Sequence, residues 1–157
     1  MIELVRSRHC VGEANYHIQL TPKYRHGVFK DEAVKKATVE SFRATAEKLK
    51  IVLHGTGFGP DHAHLFIGAC KNWSVAQIVQ RLKGVSARQV RLAHPQLAQS
   101  HCSDAFWSAG YFYRSIGATT TEAMDYYVNH SQSKHWVALD YDEYKHQKEQ
   151  TTLTKFN

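Results

Sequence analysis

Residues 59–69, GPDHAHLFIGA, join a turn to a strand whose two faces differ in character. Side chains of a strand alternate between its two sides. One face therefore carries three aliphatic residues, Ala63, Leu65 and Ile67. The opposite face carries His62, His64 and Phe66. Because the aliphatic set is suited to burial, we expect that face to pack on the core and the two histidines to be neighbours on the other side.

Strand and helix patterns alternate along the rest of the chain. Predicted strands cover residues 15–22, 51–59, 61–70 and 104–117. Predicted helices cover residues 30–50, 74–94 and 119–134, with Ser74 as N-cap of the second and Pro95 just past its end. This order is the split βαβ pattern of an α+β, ferredoxin-like sandwich with an antiparallel sheet, plus an extra C-terminal helix. Two helices would cover one face of the sheet, and the histidines would point to the other, open face.

Length, charge and cysteine content limit the class of protein. The 157 residues fit one domain, which we place at 1–139, followed by a charged tail at 140–157 that we expect to be a mobile extension. A net charge of +6 favours nucleic acid as partner, and an anionic membrane surface second. No apolar run reaches 18 residues, so no membrane span is predicted, and the polar N-terminus is unlike a signal peptide. Three cysteines without a CxxC pair are typical of a reduced, cytoplasmic protein.

The pair His62 and His64 allows two interpretations. Both rings could be ordinary hydrogen-bonded histidines. Alternatively, imidazoles on one strand face could converge on a metal ion and leave coordination positions open, as catalysis requires. The cysteine spacing offers no soft ligands, so Mg²⁺ or Mn²⁺ is at least as good a candidate as zinc. Asp61 could orient one of the rings, although a turn residue is the simpler interpretation.

The second helix has an apolar side and a basic side. Its apolar arc consists of Ile78, Val79, Leu82 and Val85. Arg81, Arg88 and Arg91 lie opposite, and an ordinary solvated face would explain them. Gly84, which lies between them, costs about 1 kcal/mol relative to alanine in a helix and would let a phosphate backbone approach closely. We therefore predict a nucleic-acid surface formed by Lys23, Arg25, Arg81, Lys83 and Arg88.

The predicted third helix contains the sequence EAMDYYVNHSQSKHW. Helical spacing places one set of side chains on a common side: Ala123, Tyr127, His130, Ser131 and Lys134. A tyrosine at helical spacing is usually a packing residue. Its occurrence beside a metal-suited histidine pair and a basic face favours a functional role.

With these residues in hand, the chain resembles the single-tyrosine HUH transposases of the insertion sequence 200/605 type. The resemblance is carried by YHIQLTPKYRHGVF, PDHAHLFI, LKGVSAR, FWSAGYFYRSIG and a following YV, in family order and spacing. These motifs run from about Tyr16 to His135. PDHxHL alone is moderately specific, whereas five ordered matches together are a strong indication.

The resemblance implies roles for particular residues. It assigns the two HUH histidines to His62 and His64. The nucleophilic tyrosine is assigned to Tyr127, ten residues beyond Gly117, with its neighbour Tyr126 a weaker candidate. The family usually has a glutamine four residues after the tyrosine as third metal ligand, and this sequence departs from that pattern. Three side chains could serve: Ser131 at the family position, Gln132 one residue on, which we predict, or His130.

The resemblance also implies an activity and partners. Similar enzymes attack single-stranded DNA hairpins with tyrosine, forming a 5′-phosphotyrosine and a 3′-hydroxyl with a divalent metal, Mg²⁺ or Mn²⁺, as cofactor. The family dimer implies a homodimer in which Tyr127 acts in cis or in trans. Aromatic and basic residues suit single strands. Alternatives are a non-catalytic ferredoxin-like nucleic-acid-binding module, a phosphoesterase without a covalent intermediate, and a domesticated relative acting on repetitive chromosomal hairpins.

Overall fold

The structure is a computed structural model, and it describes residues 4–100 and 104–117. Several predictions lie outside these residues. They are the C-terminal helix with Tyr127, the candidate third ligands His130, Ser131 and Gln132, and the tail at 140–157.

The described residues form six strands and three α-helices. The strands are β1 (Val5–Ser7), β2 (Cys10–Gly12), β3 (Asn15–Leu20), β4 (Val52–Gly59), β5 (His62–Gly68) and β6 (Phe112–Ile116). The helices are α1 (Glu32–Leu49), α2 (Val75–Ala93) and the short α3 (Gln96–Ser100). Two 3₁₀ turns, Lys23–Arg25 and Val28–Lys30, connect β3 to α1.

Four of the strands form one antiparallel sheet in the order β4–β5–β3–β6. Each helix therefore connects two strands that are separated by a third, which confirms the predicted split βαβ arrangement. Within residues 4–100 and 104–117, β4 and β6 are the outermost strands of this sheet. The hairpin of β1 and β2 forms a separate two-stranded sheet and was not predicted.

The two long helices begin where the local sequence provides acceptors for their first N–H groups. Asp31 caps α1, accepting from the N–H groups of Ala33 at 2.8 Å and Val34 at 3.4 Å. Ser74 caps α2 in a capping box with Gln77, which confirms the predicted N-cap. Satisfied helix starts fix where each helix enters the core.

The core lies between the helices and the aliphatic face of the sheet. Ala63, Leu65 and Ile67 are buried as predicted, and they pack in one cluster with α1 and α2. The buried side of α2 differs in part from the predicted arc: it contains Ser86 and Val90, while Val85 is half-buried. Ser86 can be buried because its Oγ donates to the Leu82 carbonyl at 2.6 Å and accepts from Trp107 Nε1 at 2.8 Å.

The last described strand is shorter than the predicted segment 104–117. Phe106 and Trp107 leave the sheet direction and enter the core, where they are 1% and 6% exposed. Regular pairing with β3 begins only at Phe112. Burial of two large aromatic side chains therefore outweighs the strand propensity of this stretch.

The face of the sheet opposite the helices differs from the open surface that was predicted. His17, His64 and Phe66 lie there, and their exposed fractions are 0%, 2% and 1%. The three rings pack on one another across β3 and β5. At its centre this face is therefore buried, whereas the prediction left it open.

Candidate active site

Strand β5 places His62 and His64 side by side on the predicted face. Their ring centroids are 4.9 Å apart, and the ring planes are nearly perpendicular, at 86°. In the ladder with β4 the two histidines face Gly59 and Gly57 respectively. The edge strand therefore adds no side chain over either imidazole from its own paired positions.

His62 is oriented by Asp61, which precedes it at the start of the strand. Asp61 Oδ1 lies 2.7 Å from His62 Nδ1, and Asp61 Oδ2 accepts from Arg25 Nε at 2.9 Å. Burial opposes ionisation of this carboxyl, but the hydrogen bonds from His62 and Arg25 outweigh it and hold the Asp61 pKa below its usual value. An ionised Asp61 accepts the proton on Nδ1, which leaves the lone pair of His62 on Nε2.

His64 is bonded to a second histidine, His17 on β3. His17 Nε2 lies 2.9 Å from His64 Nδ1 in a buried contact. Burial lowers the His17 pKa to about 3, assisted by the positive charges that His64 and Arg114 carry when protonated. His17 is therefore a neutral ring at physiological pH.

Gly59 makes room for the His62 ring. An added Cβ at Gly59 would lie 2.2 Å from Cε1, 2.6 Å from Nε2 and 2.7 Å from Nδ1 of His62. No described glycine has a positive φ, so backbone conformation does not explain this residue. The space that the His62 imidazole needs explains the glycine at this position.

The donor set fits a divalent cation in part. Two imidazoles bound to one ion at about 2.1 Å place their centroids roughly 4.5–5.5 Å apart, and the separation here agrees with that range. Among residues 4–100 and 104–117, no group of three or more His, Cys, Asp or Glu side chains forms a metal site. A complete site thus needs a further ligand, and the predicted one, Gln132, is outside these residues.

The predicted nucleic-acid residues lie in different surroundings. Arg81 and Arg88 are exposed on α2, and nothing lies within 4 Å of a Cβ added at Gly84. Lys23 forms an ion pair with Asp104, and Arg25 contacts Asp61. Arg81 and Arg88 are thus solvent-accessible cations, whereas Lys23 and Arg25 also have structural partners.

Lys83 is directed at the loop that precedes β6. Its Nζ donates to the carbonyls of Ser108 at 2.8 Å, Ala109 at 3.1 Å and Gly110 at 2.8 Å. It also lies 5.6 Å from the centre of the Tyr111 ring, and burial lowers its pKa. Lys83 therefore fixes the path of the chain into β6.

The turn that carries Arg25 has an unusual backbone. Tyr24 has φ 57° and ψ 18°, and Arg25 has φ 54°, so both residues are left-handed. This conformation costs about 1–2 kcal/mol for a residue with a Cβ. It presents Arg25 to Asp61 and leaves the Tyr24 side chain 72% exposed.

Sequence analysis missed His17. The stretch NYHIQL alternates polar and apolar residues, so Asn15, His17 and Gln19 share a face. Antiparallel pairing of β3 with β5 places His17 opposite Phe66 and diagonal to His64. The alternation was visible in the sequence, but the register that brings the two histidines together was not.

The chain is similar to known transposases in sequence and in structure. The family model for IS200-like transposases matches residues 10–131. ISDra2 transposase TnpA of Deinococcus radiodurans is 27% identical over 133 residues, which is 85% of this chain and 94% of that protein. A crystal structure described as that of a transposase from Deinococcus radiodurans R1 has a TM-score of 0.66 and 28% identity, covering 83% of this chain and 99% of the other.

A second solved structure agrees in fold. It is a REP-associated tyrosine transposase bound to a REP hairpin, with a TM-score of 0.51 and 10% identity. It covers 80% of this chain and 68% of the other.

Among the described residues, no helix combines the length and apolar character needed to cross a membrane. The family match spans most of the chain and includes the histidine strand, so the protein belongs to the IS200-like transposases.

Proposed function

We propose that this transposase cleaves and rejoins single-stranded DNA through a covalent 5′-phosphotyrosine. The observation that carries the proposal is the pair His62 and His64, which are adjacent and each bonded through Nδ1 to a separate partner. Such an arrangement is typical of imidazoles that coordinate through Nε2. A structural role alone would not require both rings to be oriented in this way.

His62 and His64 would hold Mg²⁺ or Mn²⁺, with Gln132 as the third ligand. Ser131 and His130 are the alternatives at that position. When bound, the cation would polarise the scissile phosphate and offset negative charge on its oxygens. Asp61 would keep the His62 ring in place during the reaction, because it bonds to Nδ1 and leaves Nε2 available to the metal. Arg25 would in turn hold the Asp61 carboxylate.

Tyr127 would be the nucleophile. Its phenolic oxygen loses a proton and attacks phosphorus in line, and the bond from phosphorus to the 3′ oxygen breaks. The products are a 5′-phosphotyrosine and a strand ending in a 3′-hydroxyl. A 3′-hydroxyl from a second strand can attack the same phosphorus and release tyrosine, so rejoining needs no external energy source.

The substrate would be single-stranded DNA that folds into hairpins. Arg81 and Arg88 on α2 supply exposed positive charge, and the smooth surface at Gly84 lies between them. Lys23 and Arg25 would add phosphate contacts, and Lys83 would support the same surface by holding the loop before β6 rather than by binding phosphate itself. The structural relative bound to a REP hairpin supports this choice of substrate.

We also propose a homodimer in the cytoplasm. Within the described part of the chain β6 is an outermost strand of the sheet and its Tyr113 is exposed, a position at which a second copy can add strands. Cys10 and Cys70 are thiols, which suits a reducing compartment where chromosomal DNA is accessible.

The test is adduct formation with a labelled, hairpin-bearing single strand and Mg²⁺ or Mn²⁺. The native protein should give a band that resists denaturation. Tyr127→Phe should abolish that band while hairpin binding persists, and the matched variant Tyr126→Phe should retain it. Adduct persisting in Tyr127→Phe would move the nucleophile elsewhere.

The histidine roles are tested in the same assay. His62→Ala and His64→Ala should each abolish metal-dependent cleavage without abolishing hairpin binding. Cleavage that survives both substitutions and a chelator would exclude the metal role. Metal-dependent product without adduct would indicate a hydrolytic phosphoesterase, and binding without any product would indicate a non-catalytic module.

A further inference from the structure

We propose that His17 is a positioning residue, which holds the His64 ring with Nε2 as its coordinating nitrogen. The inference rests on the proposed metal role of His62 and His64. The family resemblance assigns no function to this histidine. His17 lies on β3 and the pair lies on β5, so only the folded structure shows that they meet.

The contact between the two rings is a directed hydrogen bond. The nitrogens are 2.9 Å apart, the ring centroids are 5.1 Å apart, and the planes differ by only 20°. The centroid separation is close to the nitrogen–nitrogen distance plus the two ring radii. The His17–His64 contact is therefore nearly in plane, with a lone pair of one ring aimed at the N–H of the other.

The His17 ring is itself held in place. It lies parallel to Phe66, with centroids 4.8 Å apart and planes 8° apart, and Phe112 meets it edge-on at 5.9 Å. His17 is 0% exposed, so bulk water does not compete for its bond to His64. A rigid acceptor limits rotation of the His64 ring about its own side-chain bond.

The hydrogen bond also selects a tautomer. Coordination through His64 Nε2 requires a lone pair there, so the neutral ring must carry its proton on Nδ1. That proton needs an acceptor in a buried place, and His17 Nε2 lies at the right distance. Without it, an N–H at Nδ1 would be buried with no acceptor from His17, which favours the wrong tautomer.

The two metal-site histidines would then be oriented by different groups. His62 has an ionised carboxylate as its partner, whereas His64 has a neutral ring. A carboxylate donates more charge to its imidazole than a neutral nitrogen does. His17 thus acts mainly on orientation and tautomer, and its loss should weaken metal binding without removing a ligand.

Two substitutions separate these effects. His17→Phe keeps an aromatic ring beside Phe66 and His64 but cannot accept a hydrogen bond, and it should weaken Mn²⁺ binding about 10- to 100-fold. His17→Gln retains an acceptor and should recover part of the affinity. His54→Gln is the matched control. His54 lies on β4 and packs over Gly68, the last residue of β5, whereas His62 and His64 lie at the start of β5.

Mn²⁺ binding is measured on the purified full chain by the electron paramagnetic resonance signal of the unbound ion. Nitrogen-15 NMR of the metal-free native protein reports which His64 nitrogen is protonated. We expect a proton on Nδ1 in the native protein and a mixture of tautomers in His17→Phe. A proton on Nε2 in the native protein overturns the inference even if His17→Phe does not fold.

The outcomes distinguish this inference from the proposed function. If the native protein binds Mn²⁺ and His62→Ala and His64→Ala lose binding, the metal role stands. Unchanged affinity in His17→Phe then refutes the positioning role alone. If His62→Ala and His64→Ala bind Mn²⁺ like the native protein, the proposed metal site fails, whatever His17 does.

Discussion

Gly59→Ala should damage the histidine site through a single methyl group. The new Cβ would lie 2.2 Å from Cε1 of His62, whereas ordinary van der Waals contact begins at 3.4 Å. The imidazole must therefore move by about 1.2 Å or the strand must deform, because packed atoms resist overlap. A shift of that size stretches the 2.7 Å contact between His62 Nδ1 and Asp61 beyond hydrogen-bond range.

The expected change in stability follows from the lost hydrogen bond and from the strain in the displaced His62 side chain. A hydrogen bond to a charged group contributes about 1.5–3 kcal/mol, and an off-rotamer side chain costs about 0.5–1.5 kcal/mol. A strand glycine replaced by alanine would otherwise gain about 0.5–1 kcal/mol. We therefore expect net destabilisation of about 1–4 kcal/mol and Mn²⁺ affinity reduced about 10- to 100-fold, since a ligand loses its orienting partner.

The assay is a double-mutant cycle by thermal or urea unfolding, with Mn²⁺ titration alongside. In a His62→Ala background the clashing ring is gone, so Gly59→Ala should become neutral or slightly stabilising. Gly12→Ala is the matched control, because nothing lies within 4 Å of its added Cβ. The reasoning is refuted if Gly59→Ala costs the same stability in both backgrounds, or if the single variant binds Mn²⁺ with native affinity.

Four further predictions concern charged, thiol and titratable side chains. Lys83→Met should lower the free energy of unfolding by about 1–3 kcal/mol and leave the salt dependence of DNA binding unchanged, because three carbonyls hold the ammonium group. Arg88→Met should leave stability unchanged and reduce the slope of log affinity against log salt by about 1. In alkylation followed by peptide mass mapping, Cys10 should react first, since a hydrogen bond from Ser7 and the nearby Lys71 lower its pKa. Cys70 should be protected, because burial raises its pKa to about 12; faster reaction at Cys70 would contradict its burial. For His17, the folded-state pKa of about 3 lies below the ordinary 6.5, so the unfolded chain binds more protons between these values. Stability should therefore rise with pH across that window, by at most about 1.4 kcal/mol per unit, and level off above pH 6.5. His17→Phe should flatten that rise in metal-free urea titrations, and an unchanged slope would assign it to other groups.

Local patterns predicted most of the fold correctly. The aliphatic alternation of Ala63, Leu65 and Ile67, and the capping residue Ser74, each depend on neighbours within a few positions. A short window of sequence around each element therefore contains the alternation or the capping residue that predicts it. The order of the elements then sufficed for the ferredoxin-like sheet, because short connections allow few topologies.

The sequence predicted less where distant residues meet. Phe106 and Trp107 follow a strand-like pattern, yet both enter the core, and Trp107 bonds to Ser86 on another element. Likewise, Lys83 has the sequence character of a phosphate-binding residue but contacts carbonyls 25 to 27 positions away. Pairing of this kind depends on register and on packing volume, neither of which a local pattern contains.

The same limit applies within the candidate site. Strand alternation was enough to put His62 and His64 on one face, and that placement is confirmed. It could not show that His64 Nδ1 meets His17, because that contact depends on the register between β5 and β3. Asp61 was weighed only as a possible ring partner, and the contact with His62 Nδ1 now gives it that role.

The left-handed pair Tyr24 and Arg25 has a consequence for anyone who engineers this protein. Consensus or stability-guided redesign would replace such residues with glycine or asparagine, which adopt the conformation at little cost. The backbone of the redesigned protein would be less strained, but replacing Arg25 would remove the guanidinium that contacts Asp61. Thermostability screens should therefore leave these two positions untouched.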